Sequence, residues 1–275
     1  MRITRNHLAT ARRIFSARFC VLLVLASVAV CCWSITAATA FCQVKAGEQE
    51  EEKIPPPEDM VLETADNVLL AITYYPSLKG KEAIPIVLLH DFKQSRSEYI
   101  ALAPALQTLG YAVVVPDLRG HGGSTRVKDA RDVTLEAASM APAQFGRMVT
   151  HDMKTVKDFL WDRNNAGELN IDKLSLVGSE MGSVIALEWA RIDWSWPPLA
   201  TGKQGQDVKA IVLISPTWSF RMLGVKPMLD MPQIHGRIAT MLVYGDEDKQ
   251  VARDSRRIYN ILKRAHTTAD AKEQV

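Results

Sequence analysis

Five nearly unbroken apolar runs set the limits on this chain: Ile84–Leu89, Ala112–Val115, Leu174–Val177, Val208–Ile214 and Ala239–Tyr244. A strand with one wet face alternates apolar and polar residues, whereas a continuous run fits a strand covered on both faces. Between the runs lie segments with helical spacing. Ser97–Leu109 places Ile100, Leu102, Leu106 and Leu109 at that spacing and ends at Gly110, a natural C-cap. Gln144–Trp161 sets Met148, Met153, Val156, Phe159 and Leu160 on one side; Met181–Ala190 and Asp254–Lys263 read as further helices. Ahead of them, Met60–Thr64 and Val68–Tyr74 flank Asp66-Asn67 as a hairpin would. Strands alternating with helices predict an α/β fold, a mostly parallel sheet with helices on both faces. Ligand sites in such sheets lie at the carboxyl ends of the strands. The segments there are His90–Phe92, Asp117–Ser124, Gly178–Gly182, Ser215–Trp218 and Gly245–Asp248.

The first forty residues differ from the rest. They carry five arginines and no acid, then an apolar stretch from Phe19 to Trp33, then Thr36-Ala37-Ala38-Thr39-Ala40. A positive start, an apolar middle and an Ala-x-Ala ending describe a signal peptide over residues 1–40, cleaved after Ala40. The alternative is an uncleaved membrane anchor, since the stretch approaches the roughly 20 residues that span a bilayer. Either reading places the remainder outside the cytoplasm, exported or held at the membrane. Without those arginines, 28 basic residues face 31 acidic ones, a net charge of −3, so no nucleic-acid partner is expected. Cys20, Cys31, Cys32 and Cys42 all precede the folded region, which excludes a disulfide framework there. Residues 41–58 are acidic and contain Pro55-Pro56-Pro57, as an extended linker would. Residues 59–275 supply one domain. No pair of histidines has metal-ligand spacing, and no cofactor motif is present.

Three motifs carry a resemblance to the α/β-hydrolase superfamily, in particular its single-domain esterases, lipases and serine-aminopeptidase-like hydrolases. Ile86–Phe92 resembles the strand and His-Gly turn that supplies one oxyanion-hole amide. Val115–Ser124, read as Val-Pro-Asp-Leu-Arg-Gly-His-Gly-Gly-Ser, is similar to the family's Asp-x-Arg-Gly-His-Gly-x-Ser turn. Leu176–Ser183, with Gly178-Ser179-Glu180-Met181-Gly182 at its centre, has the form of the nucleophile elbow. The resemblance covers nearly all of residues 60–265. It implies that the amides of Met181 and Phe92 form the oxyanion hole and that Asp248 holds the position of the triad acid. About twenty residues separate Pro216 from the next strand, too few for a large lid.

The pattern breaks at the chemistry. Glu180 stands where the family has its serine. A carboxylate can attack, but glutamate reaches about 1.5 Å further than the aspartate of related dehalogenases and epoxide hydrolases. A misplacement of about 1 Å can cost about a hundredfold in rate. The alternative role of Asp248 is to cap the following helix. After it only His266 remains, at the end of the last helix, and no apolar run follows. The last strand is therefore missing from the pattern, either because the chain stops short of it or because the domain lacks it. His90 and His121 read as supports of their turns, His151 as a helix residue and His235 as part of a loop. Trp194, Trp196, Trp218 and Phe220 either line a ligand groove or close the core edge. Three functions follow as expectations. One is a degenerate hydrolase that holds an ester- or amide-like small molecule or a partner at the former active site. The second is a hydrolase using Glu180 as nucleophile or base, and the third an envelope-associated interaction protein.

Overall fold

The computed structural model describes residues 53–273 except 198 and 201, without the side chains of residues 131, 233 and 266–273. The expected signal or anchor over 1–40 and most of the linker lie outside the described residues. At the linker's end, Gln107 donates to the Pro55 carbonyl at 2.9 Å.

The strands, in chain order, are β1 (Glu58–Glu63), β2 (Val68–Tyr75), β3 (Pro85–Leu89), β4 (Ala112–Pro116), β5 (Arg126–Val127), β6 (Ala130–Thr134), β7 (Leu174–Ser179), β8 (Val208–Ile214), β9 (Ser219–Phe220), β10 (Leu223–Gly224) and β11 (Ala239–Val243). The α-helices are α1 (Leu102–Thr108), α2 (Pro142–Arg147), α3 (Met153–Asn165), α4 (Met181–Ser195), α5 (Lys226–Leu229), α6 (Pro232–Arg237) and α7 (Lys249–Glu273). The main sheet runs β11-β8-β7-β3-β4-β2-β5-β6, with β1 added on β2. Pairing from β11 through β4 is parallel, and β2 joins antiparallel. The sheet is thus mostly parallel, as the apolar runs predict. Successive residues of β3 serve opposite faces. Val87 and Leu89 join the large core under α3 and α4, whereas Ile86 and Leu88 join a smaller one with Tyr99 and Ala103 beside α1.

Several local expectations are corrected. The helix before Gly110 buries Tyr99, Ala103 and Gln107, while Ile100 and Leu109 are 73% and 65% exposed. A 3-10 turn over Arg96–Tyr99 precedes α1 and, at about three residues per turn, rotates the phase away from the apolar spacing. The expected Gln144–Trp161 helix is α2 and α3 joined by a π-turn over Met148–Asp152. That turn delivers Asp152 to the interior, where it meets Arg119. The last helix starts five residues earlier than expected, at Lys249 rather than Asp254, and runs to Glu273, so His266 falls within it rather than at its end. His235 sits on α6 rather than in a loop. The short β5–β6 and β9–β10 ribbons carry no strong alternation, so nothing in the sequence marks them as strands. Among the described residues no strand follows β11, which leaves β11 at the sheet edge with Met241 60% exposed. No described helix is long and apolar enough to cross a membrane.

Candidate functional site

The chain turns from β7 into α4 at Glu180, whose backbone adopts φ 43° and ψ −101°. This left-handed conformation costs about 1–3 kcal/mol for a residue with a Cβ. Two glycines make the turn possible. A Cβ on Gly178 would lie 2.3 Å from the Gly182 backbone, and one on Gly182 would lie 2.1 Å from the Leu89 carbonyl oxygen. Only a bare backbone fits between β7, β3 and the first turn of α4. The Glu180 amide donates to the Ile214 carbonyl at 2.9 Å, fixing the turn to β8. The frame that puts Glu180, and not Ser179, at the tip is therefore the one the packing requires. Its side chain projects from the start of a 15-residue helix.

The amide expected to serve as an oxyanion donor already has a partner within the chain. The Met181 amide, one residue past the tip, donates to Asp91 Oδ1 at 3.1 Å. The Asp91 amide in turn donates to Glu98 Oε2 at 2.8 Å. Asp91 stands where the family's His-Gly turn has its glycine, and its carboxylate takes up the Met181 amide. The substitution is visible in the sequence, but its consequence is not, because it depends on β3 and α4 meeting. Phe92 follows directly on Asp91, and its ring packs against Phe220 at 5.3 Å and Phe145 at 6.1 Å. The guanidinium of Arg221 lies over the Phe220 and Phe92 rings, 5.8 Å from the first and 5.4 Å from the second.

Partial desolvation pushes the Glu180 carboxyl above its ordinary range, and the like charges of Asp91, Asp248 and Glu98 push it further. Asp248 is thus close enough to act on Glu180 through its charge. Its Oδ1 accepts the amides of Gln250 at 2.8 Å and Val251 at 3.0 Å, the bonds of a helix N-cap.

Four of the histidines are engaged elsewhere. His90 is fully buried; its Nε2 accepts the Leu118 amide at 3.0 Å, so its Nδ1 carries the proton and donates to the Asp91 carbonyl at 2.7 Å. Burial drives its pKa down to about 4. His121 is buried beside it, with ring centroids 4.9 Å apart, and is likewise shifted down by desolvation. His151 shares a hydrogen with the Thr150 hydroxyl, and His235 bonds the Leu229 carbonyl. Among the described residues no group of three or more His, Cys, Asp and Glu could hold a metal ion.

The Asp117–Ser124 turn is held by its own network of hydrogen bonds. Asp117 accepts the amides of Arg96 at 2.6 Å and Gly123 at 2.8 Å. The Ser124 hydroxyl donates to the Asp117 carbonyl and accepts the Ala71 amide. Arg119, with no exposed surface, donates to both oxygens of Asp66, to Asp152 and to Gln144.

Of the aromatic residues that the sequence suggests for a groove, only Phe220 joins the wall near Phe92. Trp218 lies under Arg257, 3.5 Å from the guanidinium. Trp194 is buried, donating to the Val208 carbonyl, and Trp196 packs on Trp189 at the far end of α4. Those two do not line a groove at the elbow.

A parallel sheet with a glycine-framed strained elbow, flanked by the His-Asp-Phe and Asp-x-Arg-Gly-His-Gly turns, defines an α/β hydrolase. The chain belongs to this family: the sequence model described as alpha/beta hydrolase fold matches residues 84–260. No curated protein sequence matches the chain. Solved structures that resemble it include the DcsB complex with its substrate analogue, at 17% identity and TM-score 0.44, covering 60% of this chain and 47% of that one. A thioesterase domain from the curacin biosynthetic pathway is 18% identical at TM-score 0.42, covering 66% and 52%. The epoxide hydrolase VrEH1 from Vigna radiata is 17% identical at TM-score 0.40, covering 58% and 39%. The chain thus spans about half or less of the length of these structures.

Proposed function

We propose that this is an exported α/β-hydrolase-fold protein, released or held at a membrane by its first forty residues, that binds a ligand at the former active site and does not carry out acyl transfer. The observation that carries the reading is the Asp91 carboxylate on the Met181 amide. Acyl transfer builds negative charge at that amide, and preorganised donors there lower the barrier more than almost any other single feature of such a site. Here the donor faces a carboxylate, with Glu180, Glu98 and Asp248 nearby, so a developing oxyanion would meet repulsion. An ester- or amide-like ligand without negative charge suits the same surroundings. The export part rests on the arginine-rich, apolar, Ala-x-Ala order of the first forty residues.

One observation favours a second reading. A carboxyl shifted upward, as Glu180 is, suits a general base that activates water. Hydrolysis of a short-chain activated ester by the protein, beside Glu180→Ala, separates the two. Equal background rates are expected. Turnover that disappears in the variant would make Glu180 catalytic and rule out the binding-only reading.

A further inference from the structure

The helix after β11 carries a charge pattern that neither the core nor the elbow uses. Lys249, Arg253, Arg256 and Asn260 fall at i, i+4, i+7 and i+11 of α7 and share one face, with Arg257 beside them. Together with Asp246, which follows β11, they line a groove of about 740 Å³. Small-molecule sites typically occupy about 300–1,000 Å³. The lining holds four cations against one carboxylate. The helix itself gains nothing from this arrangement. Lys249 and Arg253, and again Arg253 and Arg257, stand four positions apart, where like charges weaken a helix.

The neighbouring acids are engaged elsewhere or lie off the groove. Asp246 pairs with Arg256 at 2.6 Å. Asp248 Oδ1 accepts the amides of Gln250 and Val251. Asp254 is buried; it accepts the Trp218 amide at 3.0 Å and the side-chain amide of Gln250. Glu247 is exposed but is not part of the lining. Among the described residues, the side chains of Lys249, Arg253 and Arg257 make no ion pair and no hydrogen bond. Four cations less the one that Asp246 holds leave three without a counter-charge. Two of the guanidinium groups are nonetheless fixed in place, Arg256 by Asp246 and Arg257 by stacking on Trp218, 3.5 Å from the ring centre. Stacking uses the face of a guanidinium and leaves the N–H groups in its plane free. Such a planar fork pairs with two oxygens of a phosphoryl or carboxyl group. Held forks beside two unpaired cations therefore match an anion with more than one negative charge.

We propose that the groove along α7 from Lys249 to Asn260 binds a soluble anion bearing at least two negative charges on phosphoryl or carboxyl groups, with Arg253 and Arg257 as its main donors. The site stands whatever the elbow binds. Inorganic pyrophosphate and citrate are titrated into the protein by calorimetry in about 0.15 M NaCl, which screens exposed charges beyond about 8 Å. At least one should bind saturably, with Kd at or below about 1 mM. Arg253→Gln and Arg257→Gln should each weaken that binding about tenfold. Lys154→Gln removes the same charge from α3 and should change it by less than about twofold. Without ligand, Arg253→Gln should melt no lower than wild type. Absence of saturable binding by both anions would overturn the proposal. So would wild-type affinity in Arg253→Gln, or an equal loss in Lys154→Gln, which would make the binding one of net charge. A lower Tm in Arg253→Gln would show that the arginine serves the fold and would overturn it too. Vesicles of phosphatidylglycerol that sediment the protein while neither soluble anion binds would show a membrane-facing surface instead.

Discussion

The turn at Asp117–Ser124 and the elbow at Gly178–Gly182 are both family motifs, and they differ in what they keep. In the turn, Asp117, Arg119 and Ser124 are all engaged in hydrogen bonds that hold the loop. In the elbow the backbone is kept, including the strained tip and both glycines, while the tip side chain is a glutamate and the neighbouring amide faces Asp91. Packing constrains a backbone whatever reaction runs above it, since β3, β7 and α4 must still meet. Chemistry constrains only the side chains at the tip. A domain can therefore lose the second and retain the first.

The contrast can be broken or sharpened in four ways, starting with the largest effect. Arg119→Ala leaves Asp152 buried without its cation, and removing one partner of a buried pair costs about 3–5 kcal/mol. Chemical denaturation should show a loss of that size; a loss under about 1 kcal/mol would mean the turn does not hold the loop. Next comes pH. The folded His90 has a pKa near 4, below the ordinary 6.5, so between those values the unfolded chain binds a proton that the folded chain does not. Stability is therefore complete above pH 6.5 and falls as the pH drops towards 4, by about 3 kcal/mol in total. A stability curve flat over that window in wild type would show that the ring is not buried neutral. Third, Gly182→Ala forces a Cβ against the Leu89 carbonyl and should cost at least about 1–3 kcal/mol, read as a lower Tm. The smallest effect has the opposite sign. Glu180→Gly removes a side chain from a left-handed backbone and should stabilise the protein by about 1 kcal/mol. If Glu180→Gly instead destabilises, the glutamate makes contacts that favour its retention, and the elbow is not an idle remnant.

Much of the fold is legible in the sequence, for physical reasons. The parallel strands announce themselves because both of their faces are buried, and the elbow because its glycines have no substitute at 2.1–2.3 Å. The departure at Glu180 is equally plain. What sequence spacing does not reveal is anything that depends on two distant segments meeting. Asp91 reaches the Met181 amide across 90 positions of chain, and Asp152 reaches Arg119 only because a π-turn rotates it inward. The Trp194–Trp196 segment reads as a groove wall because it follows the elbow helix. The length of that helix carries it to the other end of the domain. Ile100 and Leu109 keep helical spacing yet face solvent, since a 3-10 turn resets the phase.

The proposal that Asp91 fills the oxyanion position is tested most directly at the Met181 amide itself. Its proton and nitrogen shifts, followed by NMR from neutral to acid pH in wild type and in Asp91→Ala, report what the amide is bonded to. A downfield amide that titrates with a carboxylate, and that moves upfield and stops titrating in Asp91→Ala, is the expected result. An amide that is unchanged by the substitution and insensitive to pH would mean that Asp91 does not occupy the hole, and the case against acyl transfer would fall with it.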